Sequence, residues 1–188
     1  MRIILASKSP RRRELLSAIY DNFEIISLEV DETLPNGMHP YDGVRALAER
    51  KGREVALAEG EDALIISSDT LVELDGLALG KPNGREEAKK MLHSLSGRAH
   101  NVHTGVAVHY RGKVFSGVDS SSVTFKKLSE ADAREYIATG EPMDKAGAYA
   151  IQGIGAKFVE KYEGEFDTIV GLGLKLTKKL IEEALGNE

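Results

Sequence analysis

The chain has 188 residues, 41% hydrophobic and 29% charged, with no cysteine and a net charge of −5. This length and composition suit one soluble domain spanning residues 1–188, large enough for two lobes around a substantial core. They exclude a disulfide framework and thiolate metal sites, argue against polymeric nucleic acid as a partner, and offer no apolar run near the ~18 residues of a membrane span.

The first predicted element, Ile3 to Ala6, is a short apolar run that suits a strand buried on both faces. Ser9-Pro10 then starts a helix, with Ser as N-cap and Pro at the first helical position, and Leu15, Leu16 and Ile19 form its apolar stripe. A helix N-terminus favours Asp or Glu, yet Lys8, Arg11, Arg12 and Arg13 crowd this one. A bound polyanion would explain the arrangement, held by backbone N–H groups, the Ser7 and Ser9 hydroxyls and the guanidinium forks; a solvated basic turn is the alternative.

Phe23 to Ile26 reads as a second short strand, and Leu34 to Pro40 as a loop rich in turn formers. Before that loop stand Asp31 and Glu32, and Glu32 is either a ligand for a hard divalent cation or half of a solvated acidic pair. A helix is expected from about Tyr41 to Ala58, with Val44, Leu47, Ala48, Val55 and Ala58 inward. The heptad step from Val44 lands on Lys51, which either snorkels to water or points into a cleft to meet phosphate.

Ala63 to Val72 is the most hydrophobic strand signal, interrupted by Ser67-Ser68-Asp69-Thr70. Residues near the carboxyl end of a central strand line the crevice of α/β proteins, and a buried Asp needs a cation or a hydrogen-bond network. Asp69 is therefore the candidate catalytic carboxylate. Gly80-Lys81-Pro82 follows, a weak motif that could clamp phosphate; no GxxxxGK[ST] loop occurs.

Arg85 to Leu95 is a predicted helix, and Ala99 to Phe125 a long hairpin turning at Arg111-Gly112-Lys113. His103 and His109 are expected as surface or strand-pairing residues, and Asp119 to Ser122 as a polar patch that could face the cleft. Ser129 to Asp132 has capping-box spacing at the start of a helix ending near Thr139-Gly140. Gly147 to Ala156 is a small-residue segment that lets a flat ligand approach, and its Gln152 can both donate and accept, as base recognition requires. Phe158-Val159 and Thr168 to Val170 read as short strands, and Leu174 to Leu185 as a last helix with Leu174, Ile181 and Leu185 inward and Leu180 and Ala184 flanking.

Together these residues resemble the Maf family of nucleotide pyrophosphatases across nearly the whole chain. The anchors are Ser7-Lys8-Ser9-Pro10-Arg11-Arg12, Glu32, Lys51, Ser68-Asp69-Thr70, Gly80-Lys81-Pro82 and Tyr149-Ala150-Ile151-Gln152-Gly153. The resemblance implies an elongated mixed α/β sheet with two lobes and a central cleft, like that of the inosine triphosphate pyrophosphatases. It implies a hydrolase that splits a nucleoside triphosphate into monophosphate and diphosphate with a divalent cation, Mg²⁺ or Mn²⁺. Asp69 would be the proton acceptor; Arg12, Lys51 and Lys81 would bind phosphate; Glu32 and Asp69 would hold the metal. Arg11, Thr70 and Gln152 would set specificity. In the branch acting on 7-methyl-GTP, a tryptophan and a glutamate tend to replace Arg11 and Gln152, so this sequence resembles the branch acting on TTP and UTP. One departure is Gly52, where the family more often has alanine.

The partner so implied is a nucleoside triphosphate, with no membrane or nucleic-acid polymer and with room for a homodimer. The single arginine and short apolar run at the amino end do not resemble a signal peptide, so a cytoplasmic location is expected. Two competing readings are a septum-formation regulator, after the effect that named the family, and a nucleic-acid-end binding module, which the net charge disfavours.

Overall fold

The computed structural model describes residues 1–186. Seven strands form one mixed sheet: β1 (Ile3–Leu5), β2 (Glu24–Ile25), β3 (Leu64–Leu74), β4 (Leu77–Leu79), β5 (Ala99–Tyr110), β6 (Lys113–Phe125) and β7 (Val159–Glu163). Their order is β2-β1-β3-β5-β6-β7, with β4 paired to β3. β1 runs parallel to β2 and β3, and the remaining pairs are antiparallel. The helices are α1 (Pro10–Leu16), α2 (Pro40–Glu59), α3 (Arg85–Leu95), α4 (Glu130–Ala138), α5 (Phe166–Val170) and α6 (Leu174–Gly186). This is the mixed α/β class expected from the sequence.

Local chemistry explains three of the boundaries. Ser9 caps α1 by accepting from the Arg12 N–H, with Pro10 at the first helical position. Ser129 and Asp132 form a complete capping box on α4, so the shorter carboxylate does serve in place of Glu. The long hairpin turns on Arg111 and Gly112, both at positive φ, 48° and 72°, as a two-residue primed turn needs.

Other expectations need correction. Thr168 to Val170 are helical rather than extended: the β-branched run is overruled because Gly171 and Leu172 both donate back to the Asp167 carbonyl. In α6 the buried residues are Thr177, Leu180, Ile181 and Ala184, a face rotated from the predicted one. His103 and His109 do sit on paired strands, but both are buried rather than at the surface. Asp119 to Ser122 do not line the cleft.

The two faces of β3 are used differently. On one face lie two apolar clusters. Leu64 and Ile66 join Leu16, Val106, Val108 and Leu180 in one; Val72 and Leu74 join Leu92, Leu95, Phe125 and Tyr136 in the other. Between them runs a polar seam of Ser68, Thr70 and Thr104, which separates the two clusters. The other face receives α2, with Ser67 Oγ donating to the Ala48 carbonyl at 2.7 Å.

Two glycines set how closely α2 approaches. A Cβ on Gly105 would lie 2.3 Å from the Val44 carbonyl oxygen, which is helix backbone and cannot rotate away. A Cβ on Gly52 would meet His109 at 2.4 Å and Ser67 Oγ at 2.6 Å, so the alanine that the resemblance leads one to expect there would require these buried side chains to move. Gly105→Ala is expected to destabilise the protein by about 1–3 kcal/mol, the usual cost of overpacking, measured as an earlier urea midpoint with unchanged slope.

Candidate active site

The site grows out of an interruption in the sheet. One edge of β3 is paired along its length with β5. Its other edge pairs with β1 at Leu64 to Ile66 and with β4 at Val72 to Leu74, leaving residues 67–71 without a neighbour. A cleft of about 1110 Å³ opens there, beyond the carboxyl end of β1, lined by Ser7 to Arg12, Glu32, Lys51, Asp69, Thr70, Lys81 and Gln152 among others. That is slightly above the usual range for small-ligand sites, roughly 300–1,000 Å³. Ser7, Ser9, Arg11, Arg12, Glu32, Lys51, Asp69, Thr70, Lys81 and Gln152 all border this one cleft, whereas Arg13 and Asp119 to Ser122 do not.

At its centre, Lys51 of α2 places its Nζ 2.5 Å from Asp69 Oδ1 and 2.6 Å from Glu32 Oε1. The lysine therefore does not snorkel to bulk water; its side chain is 17% exposed and its charge is matched inside the cleft. Burial opposes ionisation of Glu32, but the hydrogen bond and charge of Lys51, with the charges of Lys81 and Arg12, outweigh it and hold this carboxyl below its ordinary range. Glu32 is thus ionised at neutral pH and loses its hold on Lys51 only as pH falls through that lowered value.

Glu32 is on a loop, and sequence reasoning missed what fixes it. Arg50 donates to the carbonyls of Asp31 and Thr33, the latter at 3.2 Å. Leu34 packs over Gly43, where a Cβ would be 2.6 Å from Leu34 Cδ1, and a missing side chain leaves little signal in a single sequence.

Arg12 differs from the expectation of a free phosphate ligand. Its Nε donates to the Gly171 carbonyl at 2.9 Å, NH1 to the Ser68 carbonyl at 2.9 Å and to Ser7 Oγ at 3.4 Å, and NH2 to Thr70 Oγ1 at 3.2 Å. Most of its donors are spent within the chain, which is why an arginine stands at an unfavourable helix terminus. Burial pushes its guanidinium down from its ordinary value, against the charge of Asp69. Its positive charge still faces the cleft, but its hydrogen bonds tie α1 to the free edge of β3.

Thr70 is equally determined. Thr104 Oγ1 donates its single proton to the Thr168 carbonyl at 2.7 Å, so at the 2.9 Å Thr70–Thr104 contact Thr70 must be the donor. Thr70 accepts from Arg12 and has no proton left for a ligand. Ser7 Oγ accepts from the Ser9 N–H at 3.2 Å and Ser9 Oγ from the Arg12 N–H at 3.4 Å, leaving each hydroxyl proton available.

Lys81 is exposed at the cleft edge, and Arg11 is partly buried on α1. Asp144 and Lys145, which sequence reasoning also missed, complete the rim as a hydrogen-bonded pair. The hydrogen bond from Lys145, reinforced by the charge of Arg11, holds the Asp144 carboxyl below its ordinary range against the cost of burial. Gln152 is exposed at the rim. The backbone donors of Ile154 and Gly155 point instead to Glu141, at 3.0 and 2.9 Å, so these groups do not read a ligand as the small-residue stretch suggests.

Two carboxylates, Glu32 and Asp69, could hold a divalent cation. Their oxygens already converge on one cationic nitrogen, and Mg²⁺ is commonly held by one or two carboxylates together with substrate phosphates. Among the described residues no group of three His, Cys, Asp or Glu side chains could hold a metal by itself. The residues fit a cation that shares its ligands with a bound phosphate chain.

Fold and site define a class of α/β protein whose central strand presents a carboxylate–lysine pair to a cation-rimmed cleft. A family model described as Maf-like protein matches residues 2–184, and the chain belongs to the Maf family. It is 47% identical over 97% of its length to a dTTP/UTP pyrophosphatase of Bacillus velezensis, of which it covers 96%. It is 49% identical to a protein of the same name from Pelotomaculum thermopropionicum, covering 92% of this chain and 91% of that one. Among solved structures, the Ham1 protein of Staphylococcus aureus aligns with 17% identity and a TM-score of 0.49 over 100% of this chain and 95% of that one. A nucleoside-triphosphatase, dITP/XTP pyrophosphatase, from Mycobacterium abscessus aligns with 15% identity and a TM-score of 0.46 over 100% and 96%.

Proposed function

We propose that the chain is a nucleoside triphosphate pyrophosphatase that hydrolyses dTTP and UTP to the monophosphate and diphosphate. The observation that carries this reading is the Glu32–Lys51–Asp69 arrangement, with both carboxylates within 2.6 Å of one ammonium at the open edge of β3. The names of relatives at 47% and 49% identity support the substrates.

In this reading a triphosphate competes with the two carboxylates for Lys51. As Lys51 turns to phosphate, an Asp69 oxygen is released to take a proton from water. The water oxygen bonds to the α-phosphorus, and the bond from that phosphorus to the bridging oxygen breaks, so the diphosphate leaves with that oxygen. Lys51, Lys81 and the field of Arg12 stabilise the charge that gathers on the leaving group. The Ser7 and Ser9 hydroxyls donate to phosphate oxygens. A divalent cation held by Glu32 and Asp69, Mg²⁺ or Mn²⁺, would supply further neutralisation of phosphate charge. A cytoplasmic location is in keeping with a nucleoside triphosphate substrate. No helix among the described residues is long and apolar enough to cross a membrane.

Arg11 and Gln152 face the base. Thymine and uracil present an N3–H between two carbonyls, and the Gln152 amide can meet a donor and an adjacent acceptor at once. Thr70 acts behind them, by fixing Arg12. Specificity constants for dTTP, UTP, CTP, ATP, GTP and 7-methyl-GTP in the presence of Mg²⁺ test the reading. dTTP and UTP are expected to lead, since rejection of a base that leaves a polar group unpaired can reach about 10⁴-fold. Gln152→Glu is expected to weaken pyrimidine turnover, because a carboxylate cannot donate to O4. A panel led by ATP or 7-methyl-GTP would overturn the substrate assignment.

A further inference from the structure

The segment bearing Gln152 is held by two residues that the proposed chemistry does not use, buried Tyr136 behind it and Glu141, which itself borders the cleft. Tyr136 of α4 is fully buried, and its hydroxyl accepts from the Ala150 N–H at 3.1 Å. Glu141, in the short 3-10 turn Glu141–Asp144, accepts from the Ile154 N–H at 3.0 Å and the Gly155 N–H at 2.9 Å. The backbone on both sides of Gln152 is thereby clamped to one tyrosine–glutamate pair.

The chain is shaped around this clamp. Gly153 stands at φ 109°, and a Cβ there would be 2.3 Å from Glu141 Oε1. A Cβ on Gly155 would be 2.6 Å from both the Tyr136 hydroxyl and the Ala150 carbonyl. The turn that carries Glu141 is itself tied to α4, since Thr139 Oγ1 donates to the Tyr136 carbonyl at 2.6 Å and accepts from the Glu141 N–H at 3.2 Å. Burial opposes ionisation of Glu141, yet the Tyr136 hydroxyl and the two backbone donors hold its carboxyl below the ordinary range. By contrast, the Gln152 side chain is exposed, so the held backbone is what sets where it enters the cleft.

We propose that Glu141 and Tyr136 are positioning residues for base selection, holding the 150–155 segment so that Gln152 meets one hydrogen-bonding pattern and not another. The proposal rests on the pyrophosphatase reading above and deepens it. A clamp of this kind acts on discrimination between bases, while hydrolysis at the phosphates, organised by other elements, is spared.

The test compares the wild type with Glu141→Gln, Glu141→Asp and Tyr136→Phe, using dTTP and CTP under saturating Mg²⁺. In Glu141→Gln the ratio of the dTTP to the CTP specificity constants is expected to fall about tenfold, the effect of losing one charged hydrogen bond. The loss should lie in KM for dTTP, with kcat changed less than about threefold. Tyr136→Phe keeps the ring that packs on Phe158 and should move the ratio in the same direction. Glu141→Asp keeps the charge and should restore part of it. A lower melting temperature with an unchanged ratio in both Glu141→Gln and Tyr136→Phe would make the pair purely structural and overturn the proposal. A change in Glu141→Gln without one in Tyr136→Phe would also overturn it, because buried Tyr136 cannot touch a base and Glu141 would then act by direct contact. Failure of the wild type to hydrolyse any nucleotide would instead refute the pyrophosphatase reading.

Discussion

Asp69→Asn is expected to lower dTTP turnover by about 10²–10⁴-fold, the range attributed to a positioned general base. Asp69 is only 7% exposed, stands on the edge of β3 that no strand covers, and holds Lys51 at 2.5 Å. Asparagine keeps the shape and one acceptor oxygen but has no charge and cannot carry away a proton. The fold should survive, because Lys51 keeps Glu32 at 2.6 Å as its partner. Circular dichroism and the urea midpoint should therefore change little while steady-state turnover collapses. A near-normal rate would mean that another carboxylate serves as the base.

Lys51→Met is the second large effect. Methionine fills the same helix slot without the charge, so it removes both the cation offered to the triphosphate and the link between Glu32 and Asp69. Loss of transition-state charge stabilisation should cost about 10²–10³-fold in kcat, as for a deleted oxyanion donor. Stability should fall by less than the 3–5 kcal/mol seen when a fully buried pair is broken, because Glu32 is half-exposed and Asp69, though only 7% exposed, borders the open cleft where water reaches it. Normal turnover with a shifted melting temperature would return Lys51 to a packing role.

The candidate site was legible in the sequence wherever a charge stood in a place that stability alone does not favour. Lys51 on an apolar helix stripe, Asp69 inside an apolar strand and basic residues at a helix start all marked the cleft in this way. The same logic overstated Arg12, since one sequence cannot show that the carbonyls of Ser68 and Gly171, the latter 159 residues away, would absorb its donors. Thr168 to Val170 misled for a related reason, because β-branched composition argued for a strand and the turn back to the Asp167 carbonyl decided for a helix. Arg50, Gly43 and the Tyr136–Glu141 clamp left no local pattern. Each acts through backbone groups or absent atoms on a distant segment, and periodicity records only which side chains are apolar.

The central claim is that water attacks between the α- and β-phosphates of a pyrimidine nucleotide. Incubating the protein with dTTP and Mg²⁺ and separating the products by anion-exchange chromatography tests it most directly. Equal amounts of dTMP and inorganic diphosphate are predicted. Accumulation of dTDP and orthophosphate would place the cleavage at the terminal phosphate and contradict the account.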